Sequence, residues 1–227
     1  MEDRFFNFPI VLLDGFLEDL ERVLENIWDY SIYTRTLSYD FGSMKTKIED
    51  AKNYFGVNGG LDTRITGNGK ELYEEYKSFA HTGISKKIYF DYLKNDKTKE
   101  QKLQLLGFLA LKSIIGSRSY FKTNNLLVLS RMAGLPETAK KIEELPSGFY
   151  HLNTRYQMDK LKENLKDSWG LIIYGRYIRG FYFSFNMKRE DLIFEAEKNR
   201  KSNKEKARKK KEEEEYKRAI QRLNSLN

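Results

Sequence analysis

The sequence lacks cysteine altogether and contains only two histidines, His81 and His151. Without a thiol, the chain cannot form disulfides, zinc–thiolate sites or a cysteine nucleophile. Two histidines cannot supply a three-histidine zinc site, and we expect both to be structural. Neighbouring carboxylates such as Glu143 and Glu144 would point about 100° apart on a helix, so they would not converge on one substrate atom. The sequence therefore predicts no catalytic residue, no metal ligand and no cofactor. A divalent-metal nuclease built from scattered Asp and Glu is the enzyme class left open.

Long hydrophobic runs are also missing. The most apolar stretch, residues 103–115, is interrupted by Gln104 and Lys112 and is too short to span a bilayer. The acidic start Met1-Glu2-Asp3 is not followed by an apolar run of the signal-peptide type. We therefore expect a cytoplasmic protein with no membrane contact. The aromatic content of 14% is above that typical of disordered chains, so we expect a packed core over most of the length.

Charge is distributed unevenly along the chain. The formal net charge is +8, from 41 basic and 33 acidic residues. Residues 1–100 carry 14 basic and 18 acidic side chains, residues 101–186 carry 13 and 6, and residues 187–227 carry 14 and 9. A basic middle and tail beside an acidic first part indicate a polyanionic partner. The alternative is that these cations form an ordinary solvated surface.

Hydrophobic patterning predicts a helical N-terminal region over residues 1–98. The apolar segment 5–13 is expected to be a docked extended arm or a first strand. Asp14 is expected to be the N-cap of an amphipathic helix that continues to about Tyr30. Further helices, the first of them capped by Ser43, are expected over residues 43–55, 70–79 and 85–93. This region would mediate self-association or contact a partner protein.

Residues 56–69 contain five glycines and are predicted to form a loop. Within it, Gly67-Asn68-Gly69-Lys70 suggests a phosphate-binding loop. The Walker pattern, however, needs a glycine where Arg64 stands and a hydroxyl where Glu71 stands. We therefore expect this segment to form a glycine-rich turn ahead of a helix.

Residues 99–187 show an ordered series of helix and strand signals. Helices are predicted over residues 99–115, from a cap at Thr123 or Asn124 to Gly134, and over residues 154–168. Two β-rich runs, residues 171–174 and 181–185, then flank a glycine-bracketed turn with two arginines at its tip.

This order resembles the winged helix-turn-helix superfamily over about 85 residues. The first helix and turn of such a unit are resembled by Thr123-Asn124-Asn125-Leu126-Leu127-Val128-Leu129-Ser130-Arg131-Met132-Ala133-Gly134-Leu135. The recognition helix running into strand and wing is resembled by Leu165-Lys166-Asp167-Ser168-Trp169-Gly170-Leu171-Ile172. One departure is that about 20 residues separate the two helices, whereas a tight unit joins them by three or four. Either this linker carries an insertion, or residues 137–145 form the second helix.

The resemblance implies a mainly α fold with a small β-hairpin. It divides the chain into a helical N-terminal part over residues 1–98, a winged-helix-like nucleic-acid-binding domain over residues 99–187, and a tail over residues 188–227. The tail holds nine basic residues and one acidic residue between positions 198 and 211, and is expected to be a long basic helix or disordered.

The resemblance also implies which residues contact DNA. Helix 155–168 would enter the major groove, and the turn 175–180 would act as a basic wing. Base-edge contacts are implied for Arg155, Gln157 and Asn164. Phosphate contacts are implied for Lys160, Lys162 and Lys166. A narrow minor groove would be reached by Arg176 and Arg179. The complete predicted nucleic-acid interface comprises Arg118, Lys122, Arg155, Tyr156, Gln157, Lys160, Lys162, Asn164, Lys166, Arg176 and Arg179.

Aromatic side chains between residues 174 and 185 offer another possibility, since they could stack single-stranded bases. Alternate members of such a run more often pack the core, and we favour the core. The sequence therefore predicts a DNA-binding protein, a phage- or plasmid-type regulator or replication factor, with RNA as the second candidate ligand. The opening Phe5-Phe6-Asn7-Phe8-Pro9 is similar to the N-terminal arm of some plasmid replication initiators. The alternative is a structural or assembly protein whose basic tail binds nucleic acid or an acidic partner without sequence preference.

Overall fold

The computed structural model of the chain describes residues 4–57, 61–175 and 180–224. These residues are mainly helical and contain two small antiparallel sheets. The predicted mainly α class with a small hairpin is therefore confirmed. The two-stranded sheet of the N-terminal region was not predicted.

The opening segment forms strand β1 (Phe5–Pro9), followed by a 3-10 turn, Ile10–Leu13. Strand β1 pairs antiparallel with β2 (His81–Ser85). Phe6 and Phe8 are buried while Phe5 and Asn7 are exposed, because successive residues of a strand point to opposite faces. The expectation of a docked arm or first strand is confirmed.

The first helix begins later than predicted. Helix α1 (Leu20–Thr36) is capped by Asp19, whose carboxylate accepts a hydrogen bond from the Arg22 amide at 3.1 Å. The N-cap assignment to Asp14 is wrong. Gly15 follows it with a φ of 74°, in the left-handed region, so a right-handed helix cannot begin there.

Helix α2 (Met44–Phe55) is confirmed with its Ser43 cap. The loop predicted up to residue 69 is wrong for its second part, while residues 58–60 lie outside the described residues. One helical run comprises α3 (Asp62–Arg64), a π-helical stretch (Ile65–Gly69) and α4 (Lys70–Tyr76). A Cβ on Gly69 would lie 2.5 Å from the Asp29 carbonyl oxygen, so this glycine permits close packing on α1 rather than a turn. Helix α5 (Lys86–Lys94) follows β2 and is capped by Ser85.

The middle of the chain contains three helices and a second, three-stranded sheet. The helices are α6 (Lys99–Ile115), α7 (Asn125–Met132) and α8 (Arg155–Trp169). The strands are β3 (Phe121–Thr123), β4 (Ile172–Tyr174) and β5 (Phe181–Ser184), in the order β3–β5–β4. The three helices and the hairpin strands follow the prediction, whereas β3 was expected to be a connector.

The linker between α7 and α8 contains two 3-10 turns, Ile142–Glu144 and Ser147–Asn153. Residues 137–145 therefore do not form an α-helix, and the alternative that they are the second helix is wrong.

One apolar core runs across the boundary predicted at residue 98. The Thr82 hydroxyl of β2 donates to the Leu109 carbonyl of α6 at 3.0 Å. Gly134, at the end of α7, has a φ of 72°, and a Cβ there would lie 2.6 Å from the Asp14 amide nitrogen. The N-terminal region and the three-helix region are thus packed on each other.

Helix α9 (Arg189–Asn224) forms most of the tail. Its first turns dock on the three-stranded sheet, where Leu192 and Ala196 are buried with Tyr182. Residues 201–218 are exposed. In the described ranges, no helix is long and apolar enough to cross a membrane.

Candidate nucleic-acid interface

Helix α8 buries one apolar stripe against the body. Met158, Leu161 and Leu165 are buried at i, i+3 and i+7. Gly107 of α6 lets the two helices approach closely, since a Cβ there would lie 3.2 Å from Leu165 Cδ1. Because a single stripe anchors α8, most of its polar side chains remain accessible.

One side of α8 contributes three cations to a concave surface of about 970 Å³. The same concave surface is lined by the start of α7, by the end of β4 and by the beginning of β5. We call it the α8 concave surface. The residues that define it are Asn124, Asn125, Arg155, Lys162, Lys166 and Gly180.

The cations on the α8 concave surface are paired with carboxylates of the same helix. Asp159 lies 3.5 Å from Arg155 Nε and 3.4 Å from Lys162 Nζ, and Glu163 lies 2.6 Å from Lys166 Nζ. The ion pairs of Arg155 and Lys166 are exposed and contribute about 0–1 kcal/mol, so a ligand can displace them at little cost. The Lys162 side chain is only 16% exposed, and its Nζ also lies 4.6 Å from the Phe181 ring centroid. With three cations and two carboxylates, the described part of the surface is close to neutral.

Three predicted residues lie on the other side of α8. Lys160 Nζ lies 3.1 Å from Glu100 Oε1, and Asn164 Nδ2 donates to the same oxygen at 2.9 Å. The Lys160 ammonium and then the Asn164 amide lower the pKa of Glu100 below its ordinary value. These three side chains border a second groove, of about 270 Å³, which Gln157 also lines. Tyr156 is 73% exposed on the outer face of α8.

Arg118 and Lys122 are separated from the α8 concave surface. Arg118 Cζ lies 4.6 Å from the Phe121 ring centroid, and Lys122 Nζ lies 5.9 Å from the Tyr182 ring centroid. Both line a small groove beside α9. Arg176 and Arg179 lie outside the described residues.

The structure therefore brings Arg155, Lys162 and Lys166 together and places the other described members of the predicted interface elsewhere. Asn124 and Asn125 were missed as interface residues. The sequence did carry a signal for Asn124, as a helix cap, because a cap lies at a helix end where side chains and backbone amides meet solvent.

The aromatic run near the hairpin belongs mostly to buried regions. Phe181, Tyr182 and Phe183 are buried, as predicted for core residues. The Tyr174 hydroxyl donates to Glu197 of α9 at 2.6 Å. These side chains do not form an open stacking platform. Tyr177 lies outside the described residues.

The glycine-rich segment joins a polar cluster on α1. Asn68 Nδ2 donates to Asp29 Oδ2 at 2.9 Å, and Arg64 Nε lies 2.8 Å from the same oxygen. Asp29 is 1% exposed, and burial raises its pKa although Asn68 and Arg64 act in the opposite direction. These contacts explain the segment by packing, in agreement with the rejection of a phosphate loop.

His81 is held by Tyr30, whose hydroxyl lies 2.8 Å from Nε2, and by the Phe79 carbonyl, 2.7 Å from Nδ1. Across the described residues, no group of three His, Asp or Glu side chains is placed to hold a metal ion.

Comparison with known proteins gives no relative, because no family model matches the chain and neither a curated protein nor a solved structure is significantly similar to it.

Proposed function

We propose that the chain is a DNA-binding protein that recognises duplex DNA with α8 in the manner of a winged helix. The order of α6, α7, α8 and the β4–β5 hairpin supports this, since three helices followed by a hairpin is the order of that fold. Strand β3 adds support because it pairs with β5 and thereby ties the hairpin to the region between α6 and α7.

The observation that carries the proposal is the α8 concave surface. Arg155, Lys162 and Lys166 project from one side of a helix that is anchored by a single apolar stripe. An α-helix with its side chains is about 10–12 Å in diameter and fits the major groove, which is about 12 Å wide. With 15 residues, α8 is about 22 Å long. In an RNA duplex the major groove is deep and narrow, so the same surface favours DNA.

The charged groups on this surface have distinct chemical roles in the proposed recognition. Arg155 can donate two hydrogen bonds to a guanine edge. Asp159 can accept from a cytosine amino group once its partners Arg155 and Lys162 turn to phosphates. The wing arginines Arg176 and Arg179 stay a prediction, as does their minor-groove contact.

Because the described surface is nearly neutral, we infer that it contributes more to sequence discrimination than to affinity. This favours a regulator or replication factor of the phage or plasmid type over a purely structural protein. An assembly protein that binds nucleic acid through its tail is the second candidate, favoured by the density of cations in residues 198–211. Self-association through the N-terminal helices stays a prediction.

The test is a selection of binding sequences from a randomised duplex DNA library with the full chain. The natural chain is expected to enrich one sequence motif, and Arg155→Ala is expected to weaken binding to it by about 1–3 kcal/mol. The triple variant Arg155→Ala, Lys162→Ala, Lys166→Ala should enrich no motif.

The matched control removes three exposed lysines from the N-terminal helices, at Lys45, Lys70 and Lys87. It loses the same charge but leaves α8 intact, so it should enrich the same motif as the natural chain. If the natural chain enriches nothing, or the two triple variants behave alike, the proposed function is wrong.

A further inference from the structure

The densest positive charge of the chain lies in α9. Residues 198–211 contain nine basic residues and one acidic residue, so this short segment carries a formal +8. Residues 101–186 carry +7, but over a stretch six times as long. The phosphate backbone dominates the affinity of DNA-binding proteins, and the described residues of the α8 concave surface carry a net charge of only about +1, which favours a separate electrostatic contact.

The docking of α9 fixes the rotation of this helix relative to the body. Leu192 and Ala196 are fully buried on the sheet, and Asn199 Nδ2 donates to the Tyr120 hydroxyl at 2.9 Å. These three residues recur at i, i+4 and i+7, so they lie on one face of the helix. Because α9 is continuous from Arg189 to Asn224, the same docking determines which face of its later turns points away from the sheet.

A row of cations lies on that outward face. Its members recur at i, i+3, i+7 and i+10, and at 100° per residue they are turned away from the docked row. The row, which we call the α9 stripe, consists of Lys201, Lys204, Arg208 and Lys211.

The surroundings of the α9 stripe leave it available for a ligand. Lys201 and Lys204 have no carboxylate within 4 Å among the described residues. Arg208 and Lys211 have only exposed partners one turn ahead, Glu212 at 3.4 Å and Glu215 at 3.7 Å. Glu215 also occupies the next position of the row, so the stripe ends there.

We propose that the α9 stripe binds the phosphate backbone of duplex DNA without regard to sequence, as a contact separate from the α8 concave surface. Ten residues of helix span about 15 Å, and the phosphates of one strand repeat about every 3.4 Å along the axis, so the stripe faces roughly four phosphates. A lipid surface is disfavoured because membrane-binding helices bury an apolar face, whereas Ala207 is the only apolar residue between positions 198 and 211.

The experiment compares two full-length variants that lose the same charge from opposite sides of α9. The stripe variant carries Lys201→Gln, Lys204→Gln, Arg208→Gln and Lys211→Gln. The control carries Lys206→Gln, Lys209→Gln, Lys210→Gln and Lys217→Gln, which lie on average nearer the docked side. Glutamine has nearly the helix propensity of lysine and arginine, and circular dichroism verifies that α9 keeps its helicity in both.

Binding is measured as a salt titration with a 30-base-pair duplex that lacks any selected motif. The stripe variant is expected to bind at least tenfold more weakly at 0.15 M salt, and its slope of log K against log salt should be smaller by roughly 3 to 4. The control should keep most of the affinity and slope of the natural chain. Poly-glutamate and phosphatidylserine vesicles, added as competitors, should displace the duplex poorly.

An unchanged slope in the stripe variant would overturn the proposal, and so would equal losses in the two variants. Competition by poly-glutamate or by the vesicles as strong as that by free duplex would also overturn it. The result does not depend on the proposed recognition by α8, because the stripe variant and its control both keep Arg155, Lys162 and Lys166 and the duplex lacks the selected motif. Conversely, if the α9 stripe proves not to bind phosphates, the proposed sequence selection by α8 is unaffected.

Discussion

At the scale of single residues, α8 divides its polar side chains between two sides. The helical period places Lys162 and Lys166 beside Arg155, and it places Lys160 and Asn164 well over 100° away. This separation could have been predicted from spacing alone. The side of α8 that faces the hairpin could not be predicted, because it depends on how α6 and β5 pack on α8. The Thr154 cap and the apolar spacing therefore predicted the helix, whereas the interface implied by the resemblance grouped side chains that lie on different surfaces.

The contact between Lys160 and Glu100 gives a prediction at this scale. Because Lys160 lowers the pKa of Glu100, the ionised carboxylate is favoured in the folded chain. The contact is present at neutral pH and is lost as the pH falls through the lowered pKa of Glu100. Lys160→Ala is expected to raise this pKa toward its ordinary value of about 4.3, as measured by an NMR titration of the side-chain carboxyl.

Lys162→Ala is the control, because Lys162 pairs with Asp159 instead. It should leave the Glu100 titration where it is in the natural chain. A Glu100 pKa that is the same with and without Lys160 would show that α8 is not held against α6 by this contact.

At the scale of elements, helices α2 and α8 and strands β1, β4 and β5 were predictable, whereas strands β2 and β3 were not. Ser43 and Thr154 each accept a hydrogen bond from an amide of the first helical turn, and both helices begin where these residues predict. Strand β2 has five residues and β3 has three, too few to show a clear alternation. Their existence depends on β1 and β5, which are distant in sequence and pair with them.

The anchoring of α8 gives a prediction at this scale. Leu165 is buried between α8 and Gly107 of α6, so Leu165→Ala leaves a cavity in the core. The free energy of unfolding, measured in urea, should fall by about 2–5 kcal/mol. Met158→Leu conserves volume and should cost less than about 1.5 kcal/mol. A loss below 1 kcal/mol for Leu165→Ala would mean that this stripe does not hold α8 in place.

At the scale of the whole molecule, the N-terminal region supports the proposed DNA-binding region through a shared core. Thr82 contacts the backbone of α6, and Gly134 packs on the backbone at Asp14. An excised fragment beginning at residue 99 would expose this apolar surface to water, so the DNA-binding measurements use the full chain. The shared core could not be predicted from sequence, because composition and charge change near residue 98 while packing does not.

The distribution of charge over the molecule suggests that α8 and α9 have different roles in DNA binding. The described residues of the α8 concave surface include three cations and two carboxylates, which suits discrimination between base edges. The outward face of α9 carries four cations in a row, which suits phosphates of any sequence. In this account, α9 supplies affinity that depends steeply on salt and α8 supplies specificity.

The most direct test of the central claim locates α8 on bound DNA. Because the chain has no cysteine, Glu163→Cys creates a unique site on α8 for attachment of an iron–EDTA cleavage reagent. Lys87→Cys on α5 serves as the control, since it is exposed and lies in the N-terminal region. Each derivative is bound to a long duplex that contains the selected motif, and the cut positions on both strands are mapped.

The account predicts strong cleavage by the Glu163 derivative at one place inside the motif, on both strands across the major groove, and none above background by the Lys87 derivative. Cleavage spread evenly along the duplex, or no more from position 163 than from position 87, would contradict recognition of DNA by α8.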